Sequence, residues 1–445
     1  MAAFELDKEF RSTFSPSAVP NSSEGDSHHA SRRFSLSIGR VAMAVLALSF
    51  LAANAFAAAP TERAIYSFLN TPDGASPQGG LVADAAGNLY GTTQYGGSHS
   101  GGTIFELSPP AAAGGDWVES ILYNFQGGND ARPNGSLIFD NAGNLYGTAQ
   151  GECCGTFGGS VFELSPPATS GGVWTETVLW VSDSSNPSAG SLPFGNLAMD
   201  AAGNLYGTTY SGGLHGGGIA YELLAPATAG GTRTQRILHD FGAAGDGKNP
   251  AAGLLLRNGI LYGTTYVGAN STYGIVFQLT RKPGRWTETI LYTFTAGSGL
   301  FPRETLIADN AGNLYGVTSS DGNSGAAFEL SPPAVAGDPW QETTLHVFAN
   351  NGDGAGPVGT LWRDKNGNLY GTTARWGKGV GSVYKLKAPA TAGGSWTYVF
   401  FVGFPFSGGT PRNPSSGLTF MNGVFYGVSQ LGGTHTAGTV YSVVP

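Results

Sequence analysis

The phrase GNLYGTT stands at residues 87–93 and returns at 143–148 (GNLYGT), 203–209 (GNLYGTT), 312–318 (GNLYGVT) and 367–373 (GNLYGTT). Worn copies stand at 259–265 (GILYGTT) and 423–429 (GVFYGVS). The seven tyrosines, Tyr90, Tyr146, Tyr206, Tyr262, Tyr315, Tyr370 and Tyr426, follow one another at 53 to 60 residues. A period of that size marks a propeller or solenoid, in which each unit buries its apolar surface only against its neighbours.

Each unit carries the same internal grammar. In the first, GLVAD (80–84) reads as a short apolar strand, AAGN (85–88) as a turn and LYGTT (89–93) as a second strand. GTIFEL (102–107) follows a Gly-rich loop, and WVESILYNF (117–125) follows SPPAAAGGD. Helical periodicity is missing throughout, so the unit is four antiparallel strands, a to d, which is a propeller blade. The seventh unit runs GLTFM, VFYGVS, GTVYSVVP and stops without a strand d. TERAIYSF (61–68) matches the strand-d pattern WTETILYTF (286–294). The fold expected is therefore all-β, a seven-bladed propeller whose ring closes when the N-terminal strand joins the last blade and removes the open edges.

Composition agrees. Gly numbers 71 without a collagen period, and 41% hydrophobic residues with 11% aromatics argue against disorder. A net charge of −8 without a basic run argues against nucleic-acid binding, which draws most of its affinity from phosphate contacts. Residues 1–57 read as an export signal with a long polar leader ending in SRRFSLSIGR, an apolar run from Val41 to Ala53, and Ala55-Phe56-Ala57 as an A-x-A cleavage site. The alternative is a retained anchor. Arg32-Arg33 raises the twin-arginine route, but Ser35 stands where an apolar residue is wanted, which favours the general secretory route. The propeller is then residues 58–445 of a secreted, periplasmic or extracellular protein, expected to be a monomer with no membrane span once the signal is removed.

The repeated G-L-x-x-D-x-x-G-N-L-Y-G-T-T core, the GTVFEL-type strand and the W-x-E-T-x-L-Y-x-F strand resemble the GloVer (Gloeo/Verruco) tandem repeat of secreted bacterial proteins, over nearly all of residues 61–445. The resemblance implies an exported propeller, often held by a C-terminal anchor, and no established activity; an anchor is not evident at this C-terminus. A looser similarity extends to propellers with GNxY turns, some of which are lyases or lactonases.

Features common to all blades read as scaffold. The Asp-x-x-Gly-Asn segments beginning at Asp84, Asp140, Asp200, Asp309 and Asp364 carry one acid each, too few oxygen donors for a calcium loop, and fit a hairpin turn. Gly91, without a side chain, implies close approach of another backbone. The recurring Glu106, Glu163, Glu222 and Glu329, and the Trp-Thr-Glu-Thr runs, are expected to pack, one acid per blade making no carboxylate pair. His239 and His346 replace the strand-d Tyr as packing variants. Asp73, Asp246 and Asp353 stand in DGxxP-type turns.

Loops b–c and d–a leave the face that varies between blades, and that is where a site is expected. His99, His215 and His435 share one b–c loop position, and Cys153-Cys154 takes its place in blade two, so one arc reads His, His, Cys-Cys, His. A metal shared along it would have to draw together loops that start roughly 10 Å apart. No metal or cofactor is expected, and the imidazoles are read as bonding their own loops. In an oxidising compartment Cys153 and Cys154 form a strained vicinal disulfide, or remain free thiols, or pair between molecules. Tyr95, Tyr210, Tyr266, Tyr273 and Trp376, with Arg375 and Lys378, offer aromatic surface for a sugar or peptide. Three functions follow: a non-catalytic module binding a carbohydrate or protein partner through His99, His215, His435, Trp376, Tyr95, Tyr210 and Tyr266; a lyase or hydrolase with one of those histidines as general base; or a purely structural cell-surface module.

Overall fold

The computed structural model describes residues 59–445 except 113, 152–157, 170, 184, 229–230, 269–272, 296–299, 321–323, 376–379 and 392. Ala59–Pro445 forms one compact unit, a seven-bladed β-propeller of antiparallel sheets. Blade one has strand a at Val82–Ala83, b at Leu89–Tyr95, c at Thr103–Ser108 and d at Val118–Asn124. Blade four has Leu255–Arg257, Ile260–Thr265, Ile275–Lys282 and Arg285–Thr293 in the same roles. In blade seven strand d is Thr61–Ser67, which pairs antiparallel with strand c, Thr439–Val444. Phe68 and Leu81 then share a core with Tyr426 and Val428, so the first blade packs on the last.

Strand b is the buried centre of each blade, and its two faces serve two neighbours. Leu89 lies in the core shared with blade seven, whereas Tyr90 packs with Leu137 and Leu145 of blade two. The Gly after each of these tyrosines makes room for a ring rather than for backbone. A Cβ on Gly91 would stand 2.6 Å from Cζ of Phe105, on strand c of the same blade, and 2.9 Å from Leu81. Equivalent contacts tie Gly147 to Phe162, Gly263 to Phe277 and Gly316 to Phe328, and Gly207, Gly371 and Gly427 to Tyr221, Tyr384 and Tyr441. The expected backbone approach is corrected to this ring contact.

The Asp-x-x-Gly-Asn segments are turns built on the aspartate. Asp84 accepts from the amides of Ala86 and Asn88, from Asn88 Nδ2 and from the Tyr90 hydroxyl. Gly87 supplies a φ of +91°. The side-chain bonds recur at Asp140, Asp200, Asp309 and Asp364. Burial alone would raise these carboxyls, but the donated bonds outweigh it and hold Asp84, Asp140, Asp200 and Asp364 below the ordinary aspartate value.

Strand a is shorter than its apolar pattern, Val82–Ala83 in place of 80–84. The reason lies in the preceding residues, which turn from the blade's own ladder to the next blade. The Gly80 amide donates to Ser136 Oγ at 2.8 Å, and the Ser136 amide to Asn196 Oδ1 at 2.7 Å. The Gly253 amide donates to Thr305 Oγ1 at 3.1 Å. Strand d carries a β-bulge in every blade, as between Val276/Phe277 in the pairing of strands c and d of blade four. The extra residue there is Leu291, which is buried.

Candidate functional site at the mouth of the central channel

Six blades enter the central channel through one motif, which is Pro, a variable residue, then Gly, Ala or Ser, a further small or polar residue and a buried Leu, and blade five departs from it at the third position. Blade one reads Pro77-Gln78-Gly79-Gly80-Leu81, blade three Pro193-Phe194-Gly195-Asn196-Leu197 and blade five Pro302-Arg303-Glu304-Thr305-Leu306. The residue before each Pro is left-handed: Ser76, Arg132, Leu192, Asn249, Phe301, Gly356 and Asn413 have φ of 54 to 60°. Such a φ is costly for bulky residues such as Leu192 and Phe301, and its sevenfold recurrence marks a built kink. The kink is tied to the previous blade's b–c loop, since the Arg132 amide donates to Gly101 O at 2.8 Å and the Asn249 amide to Gly217 O at 2.7 Å. The chain then turns inward, and the residue after Pro lines the channel.

The channel encloses about 930 Å³. Its wall changes character around the ring. Blades seven, one and two contribute Gln430, Ser415, Gln78 and Asn134. Their amides extend into a chain at the rim, where Gln78 Nε2 donates to Gln94 and Gln94 Nε2 to Gln150. Blades three to five contribute Phe194, Tyr210, Tyr266, Arg303 and Glu304. Tyr210 meets Phe194 edge-on at 5.4 Å between ring centres. Phe301 stacks on Tyr266 at 4.6 Å, and the Arg303 guanidinium lies 4.5 Å over the same ring. Tyr266 is thereby held in place and positions a cation at the mouth.

Glu304 fills a position that is Gly79, Gly135, Gly195, Ala252, Gly359 and Ser416 in the other blades. Burial raises its carboxyl above the ordinary glutamate value, opposed by the Gly359 amide, which donates to it, and by the charge of Arg303. The small residues at the other positions have a steric cause: a Cβ on Gly79 would come within 2.4 Å of the Gly135 carbonyl oxygen.

Of the residues singled out in the sequence, Tyr210, Tyr266 and Arg375 lie in the channel wall. Tyr273 packs edge-on against Phe301. Tyr95 is 39% exposed, with Arg132 over its ring at 5.3 Å. His99, His215 and His435 are exposed in their own loops and are not among the channel-lining residues. The His99 ring bonds the neighbouring Ser98 hydroxyl at 2.9 Å, and the His215 amide points to Asp240. Trp376, Lys378, Cys153 and Cys154 lie outside the described residues. Arg303, Glu304 and Phe194 escaped the sequence reading. The signal for Glu304 was a break in the repeat, an acid where the other blades keep Gly, Ala or Ser, whereas Phe194 and Arg303 stand at a position that varies from blade to blade and gave none.

A second group lies between outer strands. In blade seven the Tyr66 hydroxyl donates to Asp73 Oδ2 at 2.6 Å, beside Glu119 of blade one. Tyr123, Asp130 and Glu176 form the corresponding group between blades one and two, where the Tyr123 hydroxyl bonds Glu176 and Asp130 accepts from Ser160 Oγ at 2.8 Å. His346 takes the Tyr place between blades five and six, 3.1 Å from Asp353, and stacks on Tyr398 at 4.5 Å. Burial keeps it below the ordinary histidine value despite that partner. Between blades three and four stand His239, Asp246 and Glu288. Acid pairs thus arise from a loop Asp of one blade and a strand-d Glu of the next, which one acid per blade did not foretell.

The comparisons with known proteins concern fold and family. No curated protein matches the sequence at a significant level. A chain described as the extracellular domain of a one component system from B. thetaiotaomicron is 12% identical at a TM-score of 0.51, over 86% of this chain and 42% of that one. A chain described as an oxidoreductase (glucose dehydrogenase) from Thermus thermophilus is 18% identical at 0.42, over 71% and 94%. A polysaccharide lyase, an ulvan lyase, is 10% identical at 0.46, over 85% and 95%. At 12% identity the likeness to the extracellular domain is one of fold alone. The model of the Gloeobacter/Verrucomicrobia repeat matches residues 55–268 and 158–337, more than half of the sequence, and the chain belongs to that repeat family.

Proposed function

We propose that this propeller is a non-catalytic binding module that takes a carbohydrate at the variable-face mouth of its channel. The division of the wall carries the reading: the amides of Gln78, Asn134 and Gln430 stand on one arc, with Phe194, Tyr210 and Arg303 on another. Sugar hydroxyls pair with amides, and the apolar faces of sugar rings lie on aromatic side chains. Arg303 adds a cation for an acidic sugar. A general acid–base mechanism needs two groups converging on one bond. Glu304 is engaged by the Gly359 amide, and His99, His215 and His435 lie away from the lining, so the hydrolase or lyase reading gains no support from the channel. A glycan array carrying neutral and uronic-acid oligosaccharides tests the proposal. Binding that weakens at least about tenfold in Tyr210→Ala and Arg303→Ala supports it, in line with aromatic and charge-assisted contacts worth more than about 1 kcal/mol. Absence of glycan binding, or binding indifferent to both changes, contradicts it.

The proposal includes export, supported by the apolar run Val41 to Ala53 and the Ala55-Phe56-Ala57 site. N-terminal sequencing of the protein recovered outside the cytoplasm is expected to begin at Ala58.

A further inference from the structure

We propose that His239, Asp246 and Glu288 form a binding site for a divalent transition-metal cation of the zinc type. Three ligand atoms, one from each residue, lie within 4.8 Å of one another. His239 Nε2 stands 3.0 Å from Asp246 Oδ2 and 3.6 Å from Glu288 Oε2. With metal–ligand bonds of about 2.0–2.1 Å, neighbouring ligands in tetrahedral or octahedral coordination lie about 3.0–3.4 Å apart. The two spacings from His239 Nε2 are close to the edges of such a polyhedron, and the two carboxylates lie within 4.8 Å of each other.

The group is held before any ion arrives. Asp246 Oδ2 accepts from the Gly242 amide at 3.1 Å and Oδ1 from the Gly247 amide at 2.6 Å. The His239 ring sits edge-on against Phe241 at 4.5 Å. Glu288 Oε1 is buried with no hydrogen-bond partner, as are the equivalent Oε1 atoms of Glu119 and Glu176, but the Glu288 carboxylate also has an imidazole nitrogen 3.6 Å from its other oxygen. The His239 side chain is 22% exposed, so an ion can enter and complete its shell with water.

The ring supplies its own comparison. The equivalent groups keep two carboxylates with a tyrosine, in Tyr66, Asp73 and Glu119 and again in Tyr123, Asp130 and Glu176. The interface between blades five and six has His346 and Asp353 but Tyr398 in place of the Glu. Among the described residues, only His239, Asp246 and Glu288 combine an imidazole nitrogen with two carboxylates in this way. A neutral imidazole with two carboxylates is a donor set that suits zinc.

The test is calorimetric titration of Zn²⁺ into the metal-stripped full chain, with Co²⁺ absorption as a second readout. His239→Tyr introduces the residue that strand d carries at Tyr66, Tyr123 and Tyr292, so the fold is expected to survive. Glu288→Gln is close to isosteric and removes the ligand charge without that assumption. A triple His99→Ala, His215→Ala and His435→Ala variant monitors adventitious binding by the exposed loops. The proposal expects one equivalent in the wild type and in the triple variant, weakened at least about 100-fold in His239→Tyr and in Glu288→Gln, as loss of a metal ligand should bring. It is overturned if the wild type binds no zinc, if either single variant binds as the wild type does, or if binding disappears with the triple variant.

Discussion

Gly207 and Tyr221 are so close that a Cβ on the glycine would lie 2.4 Å from the phenolic oxygen. The contact repeats the one between each LYG glycine and the strand-c aromatic of its blade. Gly207→Ala is therefore expected to force the ring off its rotamer or the strands apart, at about 1–3 kcal/mol. Chemical denaturation read by tryptophan fluorescence measures it, and a loss below about 0.5 kcal/mol would show that the ring moves aside freely.

The same ring gives a change in the other direction. The hydroxyls of Tyr221, Tyr384 and Tyr441 are buried without a hydrogen-bond partner. Phe105, Phe162, Phe277 and Phe328 occupy the equivalent places in other blades. Tyr384→Phe removes an unsatisfied polar atom and is expected to be neutral or stabilising by up to about 1–2 kcal/mol. A lowered midpoint of unfolding would mean that the hydroxyl is satisfied in solution.

Stability should peak in mildly acidic solution. Burial, with the nearby charge of Asp73 or Asp130, pushes the carboxyls of Glu119 and Glu176 up to about 7. A carboxyl raised on folding contributes stability that is complete below its unfolded value, near pH 4.5, and lost as pH rises through 7. The depressed carboxyls of Asp84, Asp140, Asp200 and Asp364 act oppositely. Their contribution is present above their unfolded value of 3.8 and lost as pH falls below it through the folded value. Melting temperature is thus expected to be highest between about pH 4 and 5 and to fall on both sides. Glu176→Gln should flatten the neutral arm by an amount on the order of 1 kcal/mol, after allowance for solvent screening, and leave the acid arm alone. A wild-type stability flat from about pH 4.5 to 7.5 would contradict this.

Ring closure rests on Thr61–Ser67, which is strand d of the last blade. Deleting residues 59–68 exposes strand c, Thr439–Val444, as an open edge and uncovers the core around Phe68. Loss of a single cooperative unfolding transition, or association through the bare edge, is expected in calorimetry and light scattering. A deletion variant that melts as one monomeric unit at an unchanged temperature would contradict the closure.

The ring was legible because repetition averages out local ambiguity. One LYGTT could be any buried strand, but seven at one spacing, with an orphan strand d at the start of the array and a blade lacking one at its end, leave little choice of architecture. The Asp84 turn was legible for the same reason, since its bonds are local. The strand-d bulge at Leu291 was not, because an extra residue in one strand shows only when its partner's register is known. The site was hidden by the same repetition. Glu304 interrupts a run of small residues and Arg303 stands at a variable position, but only the ring places them across from Gln78 and Asn134. His239, Asp246 and Glu288 each had a sufficient local explanation, and their meeting depends on how blade three packs on blade four.

The most direct test of the channel mouth as a binding site is a titration of the tightest array-identified oligosaccharide into the wild type, Phe194→Ala, Tyr210→Ala and His435→Ala. The account predicts that affinity falls at least about tenfold in the two channel variants and is unchanged in His435→Ala, which alters an exposed loop. Equal affinity in all four proteins, or loss confined to His435→Ala, would place the ligand elsewhere and contradict the account.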